Sequence, residues 1–277
     1  MSASRIVCVG LLVAVGLCVS ANGAPSYMYD GPAQATYLLF PGDRVDVPVY
    51  LVEIAPPPAS SLLVSEGGLF SAGVLIQQTS SSSGAPATLT GLTANPTDFN
   101  DPLGSPLTIM DNVVNSASIS ETCDLFGTGG VLPSENPAGS GIRRVYLGTV
   151  TVSASSKLDV STFQVTRNGS DDTTTWASSM SLDAEINSIS FAVETVFPGD
   201  ANRDGIVDQA DYTVWYNHYG ASGGWADGDF THDGVVDQAD YTVWYNHYGF
   251  IGGSVPEPAT LSLLALSGLA MMQRRRR

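Results

Sequence analysis

Positive charge is scarce in this sequence: 277 residues hold 11 Lys and Arg against 27 Asp and Glu, a formal net charge of −16. Nucleic-acid backbones are held by basic surfaces, so nucleic acid is not an expected partner. Charge of either sign is low, at 14% of residues against about 25% in an average globular chain. Histidine occurs only as His218, His232 and His247, all in the last quarter of the chain. The long stretch before them therefore lacks both the base of a Ser–His triad and any His ligand for zinc. Gly and Pro total 45 residues, below the share that marks low-complexity chains. With 43% hydrophobic residues there is material for a core, and the length allows one large or two small domains.

Long apolar runs are also missing, and the two short ones lie at the ends. Arg5 is followed by the apolar stretch 6–19 and by Ser20, Ala21, Gly23 and Ala24. This is the order of a secretory signal peptide over residues 1–24, with cleavage after Ala21 or Gly23 because Pro25 obstructs a cut after Ala24. Lipid attachment at Cys18 is disfavoured by the bulky Leu17. Cys8 and Cys18 leave with the signal peptide, and the remaining Cys123, unable to form an intrachain disulfide, is read as a packed core residue. At the other end, residues 259–272 are uncharged and mostly apolar but fall short of the roughly 20 residues that span a bilayer. The run Arg274, Arg275, Arg276 and Arg277 fixes which side stays cytoplasmic. Segment 255–277 is read as a marginal membrane helix with a stop signal; a buried terminal helix is the alternative, which the arginines oppose. Val255, Pro256, Glu257 and Pro258, the short apolar stretch and the basic end together resemble the PEP-CTERM sorting signal. That resemblance implies transient inner-membrane anchoring, processing by an exosortase-type enzyme, and delivery to the surface or extracellular matrix of a Gram-negative-type bacterium.

With both ends removed, 26 acids face six bases, Arg44, Arg143, Arg144, Lys157, Arg167 and Arg203. Such a surface suits divalent cations or cationic partners, or simply keeps the protein soluble. Nine of the aspartates fall within residues 199–253, where the sequence repeats itself. Residues 199–220 read GDANRDGIVDQADYTVWYNHYG and residues 228–249 read GDFTHDGVVDQADYTVWYNHYG. From Gly205 and Gly234 onward, 15 of 16 positions agree, so one supersecondary unit occurs twice.

The first half of each unit has the spacing of a twelve-residue calcium loop. Asp200, Asn202 and Asp204 take positions 1, 3 and 5, Gly205 turns the chain at position 6, and the Ile206 carbonyl serves position 7. Asp208 takes position 9 and Asp211 position 12. In the second copy these are Asp229, Thr231, Asp233, Gly234, Val235, Asp237 and Asp240. Calcium takes six to eight oxygens, which alternate carboxylates and carbonyls supply around one turn, so two ions are expected. Two departures stand out. Thr231 replaces the usual Asn or Asp, predicting a weaker second site, and position 12 is Asp rather than the longer Glu. An Asp/Gly turn without an ion is the alternative, which two copies in register oppose.

Each loop leads into an aromatic segment, 212–219 or 241–248. Val214, Trp215 and His218, with Val243, Trp244 and His247, fall at helical spacing and predict a buried stripe. The tryptophans read as two halves of a miniature core, or as sugar-stacking rings. No helix is evident before either loop. Loop then helix, twice, over 199–249 resembles the type I dockerin. The resemblance implies calcium-dependent docking onto a cohesin-type partner. By the same resemblance, recognition falls to Gln209, Ala210, Tyr216 and Asn217 and to Gln238, Ala239, Tyr245 and Asn246. The hydroxyl pair common at loop positions 10 and 11 is absent.

Residues 25–196 form the body. Val45, Val47, Val49 and Leu51 alternate with Asp46, Pro48 and Tyr50, the period of a half-buried strand, with Pro48 marking an edge. Runs at 145–152, 163–165 and 189–193 are separated by turn-rich stretches such as 80–86 and 95–104. The pattern predicts a mainly β protein: an antiparallel β-sandwich followed by the small α-helical module at 199–253. Stretches 40–51 and 145–155 resemble the strand pattern of cohesin-type and carbohydrate-binding sandwiches. A carboxylate pair for glycoside hydrolysis would come from Asp43, Asp46, Glu53, Glu66 and Glu121, but no spacing selects two of them. The expectation is an exported, non-catalytic surface or matrix protein that binds calcium and docks onto a cohesin-type partner. The alternative is a polysaccharide-degrading or carbohydrate-binding component of a dockerin-based assembly, with extracellular polysaccharide as partner.

Overall fold

A computed structural model describes residues 25–32, 35–55, 60–95, 99, 107–111, 115–122, 130–135, 140–169, 173–175, 177–182 and 186–252. The signal peptide, Cys123 and the sorting residues Val255, Pro256, Glu257 and Pro258 lie outside these residues. The chain divides into two compact units, Met1–Val196 and Phe197–Arg277.

The first unit is built of strands. In chain order they are β1 (Ser26–Asp30), β2 (Thr36–Leu39), β3 (Arg44–Ile54), β4 (Leu69–Ser81), β5 (Thr88–Ala94), β6 (Leu107–Asp111) and β7 (Ser116–Thr122). There follow β8 (Ser134–Glu135), β9 (Ile142–Ser153), β10 (Asp159–Arg167), β11 (Thr174–Thr175), β12 (Ile186–Asn187) and β13 (Ile189–Thr195). One sheet runs β12-β1-β3-β9-β5 with β8 on β9, and the other β2-β13-β10-β4-β7-β6 with β11 on β4. Alternation explains the strands. Val45, Val47, Val49 and Leu51 of β3 are buried while Arg44 and Asp46 face out, and Val145, Val150 and Val152 of β9 repeat the pattern beside them. In the other sheet the paired neighbours Phe163 of β10 and Phe191 of β13 stack at 5.4 Å. Each such side chain contributes about 1.5–3 kcal/mol on burial.

Three expectations are corrected here. The sandwich is mixed rather than antiparallel, because β1 pairs parallel with β12 and β2 parallel with β13. The first two strands thus lie beside the last two, one pair in each sheet. Parallel neighbours need a long crossover, so local alternation carries no sign of them. Pro48 sits in an interior strand, but β1 pairs only with the Tyr50–Ile54 end of β3. The proline occupies the half of β3 paired on one side, opposite Thr149 of β9, where its missing N–H costs no ladder bond on the open side. Finally, the turn expected from residue 80 starts two residues later, since β4 continues through Ser81.

A short helix, α1 (Leu62–Ser65), follows β3. Its N-terminus rests on Glu53, which is fully buried and accepts from the N–H groups of Leu62 and Leu63 at 2.7 and 3.1 Å. Ser61 and Tyr27 donate their hydroxyls to the same carboxylate. The second unit holds α2 (Gln209–His218), α3 (Gln238–His247) and, between them, a 3₁₀ turn at Trp225–Asp227. That turn precedes the second loop, where no helix was expected.

Candidate functional site

Each helix of the second unit begins because its loop ends in a capping residue. Asp208 accepts the Ala210 N–H at 2.7 Å and Asp237 accepts the Ala239 N–H at 2.7 Å. Three residues on, Asp211 and Asp240 reach back to the N–H of their cap residue at 2.8 Å, closing a capping box. Positions 9 and 12 of each loop are therefore also the start of a helix.

Upstream, the loops fold around two buried carboxylates. In the first, Asp200 is fully buried and accepts from the N–H groups of Asp204 and Gly205 at 3.2 and 2.9 Å. Gly205 has φ +86°, a left-handed conformation that disfavours a side chain. Asp211 is likewise fully buried and accepts from Ala201 and Asn202 at 2.9 and 3.2 Å. Asn202 and Asp204 are exposed on the rim, where Asn202 accepts from the Asp204 N–H and Asp204 from the Ile206 N–H. The second loop repeats this. Asp229 accepts from Asp233 and Gly234 at 3.2 and 2.9 Å, Asp240 from Thr231 at 2.8 Å, and Asp233 from Val235 at 2.9 Å.

The electrostatics of the first loop are unfavourable as it stands. Burial pushes the Asp200 carboxyl up to about 6, the backbone N–H groups of Gly205 and Arg203 oppose this, and the neighbouring Asp211 and Asp204 charges add to it. Burial also raises Asp211. Among the described residues no three His, Cys, Asp or Glu side chains are grouped so as to hold an ion as placed; the loop carboxylates accept backbone N–H groups. The donor chemistry nevertheless fits a hard cation: side-chain oxygens at positions 1, 3, 5, 9 and 12 and a carbonyl at position 7.

Between the helices lies a small aromatic core. Tyr212 packs on Trp244 at 5.1 Å, and Tyr241 on Trp215 at 5.2 Å. Trp215 and Trp244 are buried, and Val214, His218, Val243 and His247 are half-buried, as are Tyr212 and Tyr241, which the expected stripe left out. The sequence reading also passed over Trp225, which is buried and donates its indole N–H to the Asp200 carbonyl at 2.7 Å. Lying outside the repeated positions, it had no counterpart to draw notice. Gln209, Ala210, Tyr216 and Asn217 are all exposed, as are Gln238, Ala239, Tyr245 and Asn246. Tyr216 and Tyr245 are each 64% exposed, far above what a packing residue of their size shows.

The body's carboxylates are dispersed over separate tasks. Glu53 caps α1, Asp43 accepts the Phe40 N–H, and Asp46 accepts the Thr151 hydroxyl at 2.6 Å. Glu66 follows α1 with Oε2 buried and without a hydrogen-bond partner, and the Glu121 side chain lies outside the described residues. On the outer face of the first sheet, register sets residues in rows: Arg44, Ser153 and Thr88; Asp46, Thr151 and Gly91; Pro48, Thr149 and Thr93; then Tyr50 beside Tyr146. The two tyrosine rings lie 5.4 Å apart.

Residues 254–277 match the PEP-CTERM protein-sorting motif. No curated protein matches the chain. Among solved structures, the chain is similar to one from a type I cohesin–dockerin complex (Coh-OlpA-Doc918) of Clostridium thermocellum, at 15% identity over 62% of this chain and 99% of that one, TM-score 0.40. It is similar also to CaCohA2 of Clostridium acetobutylicum, at 14% identity over 63% and 96%, TM-score 0.40. A third is from the complex of the third ScaC cohesin with the ScaB dockerin of Acetivibrio cellulolyticus, at 13% identity over 61% and 99%, TM-score 0.40. No helix among the described residues is long and apolar enough to cross a membrane. The sorting motif indicates export and C-terminal sorting to the cell surface.

Proposed function

We propose that this is a non-catalytic surface or matrix protein whose second unit binds two calcium ions and, so ordered, docks as a dockerin onto a cohesin-type partner. The observation that carries the reading is the set of oxygen donors at alternate positions of both loops, with buried, mutually repelling carboxylates in the first, each loop leading into a helix with exposed Tyr, Asn and Gln. In each loop the oxygens of Asp200, Asn202, Asp204, Ile206, Asp208 and Asp211, or of Asp229, Thr231, Asp233, Val235, Asp237 and Asp240, would hold the ion. Calcium would supply the charge that offsets their repulsion. The non-catalytic reading is supported by the histidine-free body and the separate duties of its carboxylates. The anchored intermediate and exosortase processing follow from the sorting motif.

The test is co-precipitation of the full chain with a type I cohesin, with calcium and with chelator. Two equivalent faces predict that Tyr216→Ala or Tyr245→Ala alone weakens binding about two-fold. The double substitution should lose about 2 kcal/mol or more, the cost of removing an aromatic anchor. Capture that persists in chelator overturns the reading, and a single substitution that abolishes binding while the other is silent overturns the equivalence of the two faces.

A second reading, polysaccharide binding by the body, is favoured by the outer face of its first sheet. There the Tyr50 and Tyr146 rings adjoin the rows of Thr149, Thr93, Thr151 and Asp46, aromatic faces and hydroxyls of the kind that hold a sugar. Retention on insoluble polysaccharide that falls on Tyr50→Ala, without release of reducing ends, is the expected result; release of reducing ends would mark a hydrolase.

A further inference from the structure

In the second unit, each helix is bonded through its tryptophan to the loop of the other repeat. Trp215 Nε1 donates to the Asp237 carbonyl, and Trp244 Nε1 to the Asp208 carbonyl, both at 2.8 Å. Asp208 and Asp237 hold position 9, and all three of their polar groups are engaged. The carboxylate caps the following helix, the N–H donates to Oδ2 of Asp211 or Asp240, and the carbonyl accepts the indole. The position-12 aspartate and the tryptophan lie four residues apart, on one helix face, and both are buried. The contacts close into a ring: Asp211, Trp215, Asp237, Asp240, Trp244, Asp208 and back to Asp211. Backbone pairs cross beside it: the Gly249 N–H donates to the Val207 carbonyl and the Gly220 N–H to the Val236 carbonyl, both at 2.8 Å, next to the bridges of Ile206 with Ile251 and Val235 with Ser222.

We propose that this ring couples the two ion-binding loops, so that filling either loop raises the affinity of the other. The inference rests on the calcium reading above. An ion held by Asp208 and Asp211 fixes the Asp208 peptide, which is the acceptor for Trp244. Trp244 in turn positions the helix that carries Asp240, the last donor of the second loop. The first ion thus meets the ordering cost of a junction that both loops share, and the second binds a loop already ordered. By symmetry of the contacts, the coupling runs equally in the reverse direction, as linkage requires.

The test is calcium titration of the full chain by calorimetry, with Asp204→Ala or Asp233→Ala disabling one loop at position 5. Coupling predicts that either substitution lowers the affinity of the remaining loop about ten-fold, within the usual range for coupled sites. In the Trp215→Phe, Trp244→Phe double variant, which keeps aromatic rings and the backbone crossings but removes both indole donors, disabling one loop should lower the affinity of the other by much less. Two ions binding independently in the wild type would overturn the coupling and leave the calcium reading standing. No calcium binding at all would overturn both. Cooperativity undiminished by the Phe substitutions would overturn the role of the indole bonds. Should the double variant fail to fold by circular dichroism, the Trp215 indole N–H signal in the Asp233→Ala chain decides. It must shift when the first loop fills, and an unmoved signal overturns the proposal.

Discussion

Asp159 in the body and Asp200 in the second unit are both buried aspartates, but their neighbours differ in kind. Asp159 accepts the hydroxyls of Ser161 and Ser81 at 2.5 and 2.7 Å and the Ser83 N–H at 2.8 Å. Burial alone would raise its carboxyl, yet the hydroxyls of Ser161, Ser81 and Ser83 with the Ser83 N–H outweigh it and hold the group below its ordinary range. Asp200 has backbone donors too, but its side-chain neighbours are the carboxylates of Asp211 and Asp204, and it is pushed up to about 6. The body settles its buried charge with its own hydroxyls. The first loop of the second unit instead sets Asp200 beside two further carboxylates, a repulsion that calcium would offset in the proposed reading.

The largest expected effect separates the two units directly. Chelation should collapse the helical circular dichroism of the second unit, since each ion at one hundred times its Kd contributes about 2.7 kcal/mol, while the β signal of the body stays. A helical spectrum unchanged in chelator would break the contrast. Next comes Trp225→Ala. This ring lies 5.3 Å from Phe230 and 5.1 Å from His232 of the second loop and donates to Asp200 of the first. Truncating a buried aromatic costs about 3–5 kcal/mol. Denaturant unfolding should show the second unit weakened by that amount and the body untouched.

The body offers a smaller test with a defined pH dependence. Because the Asp159 carboxyl is held down in the fold, its contribution is present above the unfolded value near 3.8 and is lost as pH falls through the folded value. Asp159→Asn should therefore cost about 1–2 kcal/mol at pH 7, and the gap from wild type should close below about pH 4. A gap that does not change with pH would show that the ionised form is not what the serines stabilise. The smallest effect sharpens the comparison of the two loops, which differ only at Ala201/Phe230, Asn202/Thr231, Arg203/His232 and Ile206/Val235. Thr231→Asn should tighten the second site by a few-fold at most, since one neutral donor replaces another. Calorimetry of the two sites before and after the change measures it.

Much of this molecule was legible from residue order, for reasons that are local. A strand with one face buried must alternate, so β3, β9, β10 and β13 each contain a run picked out in advance. Aspartates at alternate positions around a glycine prescribe a turn, and an aspartate at position 9 with another at position 12 prescribes the capping box that starts each helix. Exposure of Tyr216 and Tyr245 was not read from the helical pattern; the resemblance alone had set them apart, as recognition residues. The thirteen-residue strand β4 was missed because its apolar half, Leu69 to Ile76, does not alternate and its serine-rich end has the composition of a turn. Those serines are held in the strand by pairing with β10.

The sequence by itself determined the repeat, the charge imbalance, the oxygen donors and the helix starts, since each depends on residues within one or two turns of chain. Tertiary structure alone decided which strands became neighbours, because parallel pairs such as β1 with β12 join residues some 160 positions apart. It alone decided that Glu53, a carboxylate on a strand, would cap a helix rather than face solvent. It also decided that the indoles of Trp215 and Trp244 would cross between repeats. A buried N–H must find an acceptor, but where that acceptor lies depends on how the two units of the repeat pack face to face, which no spacing along the chain records.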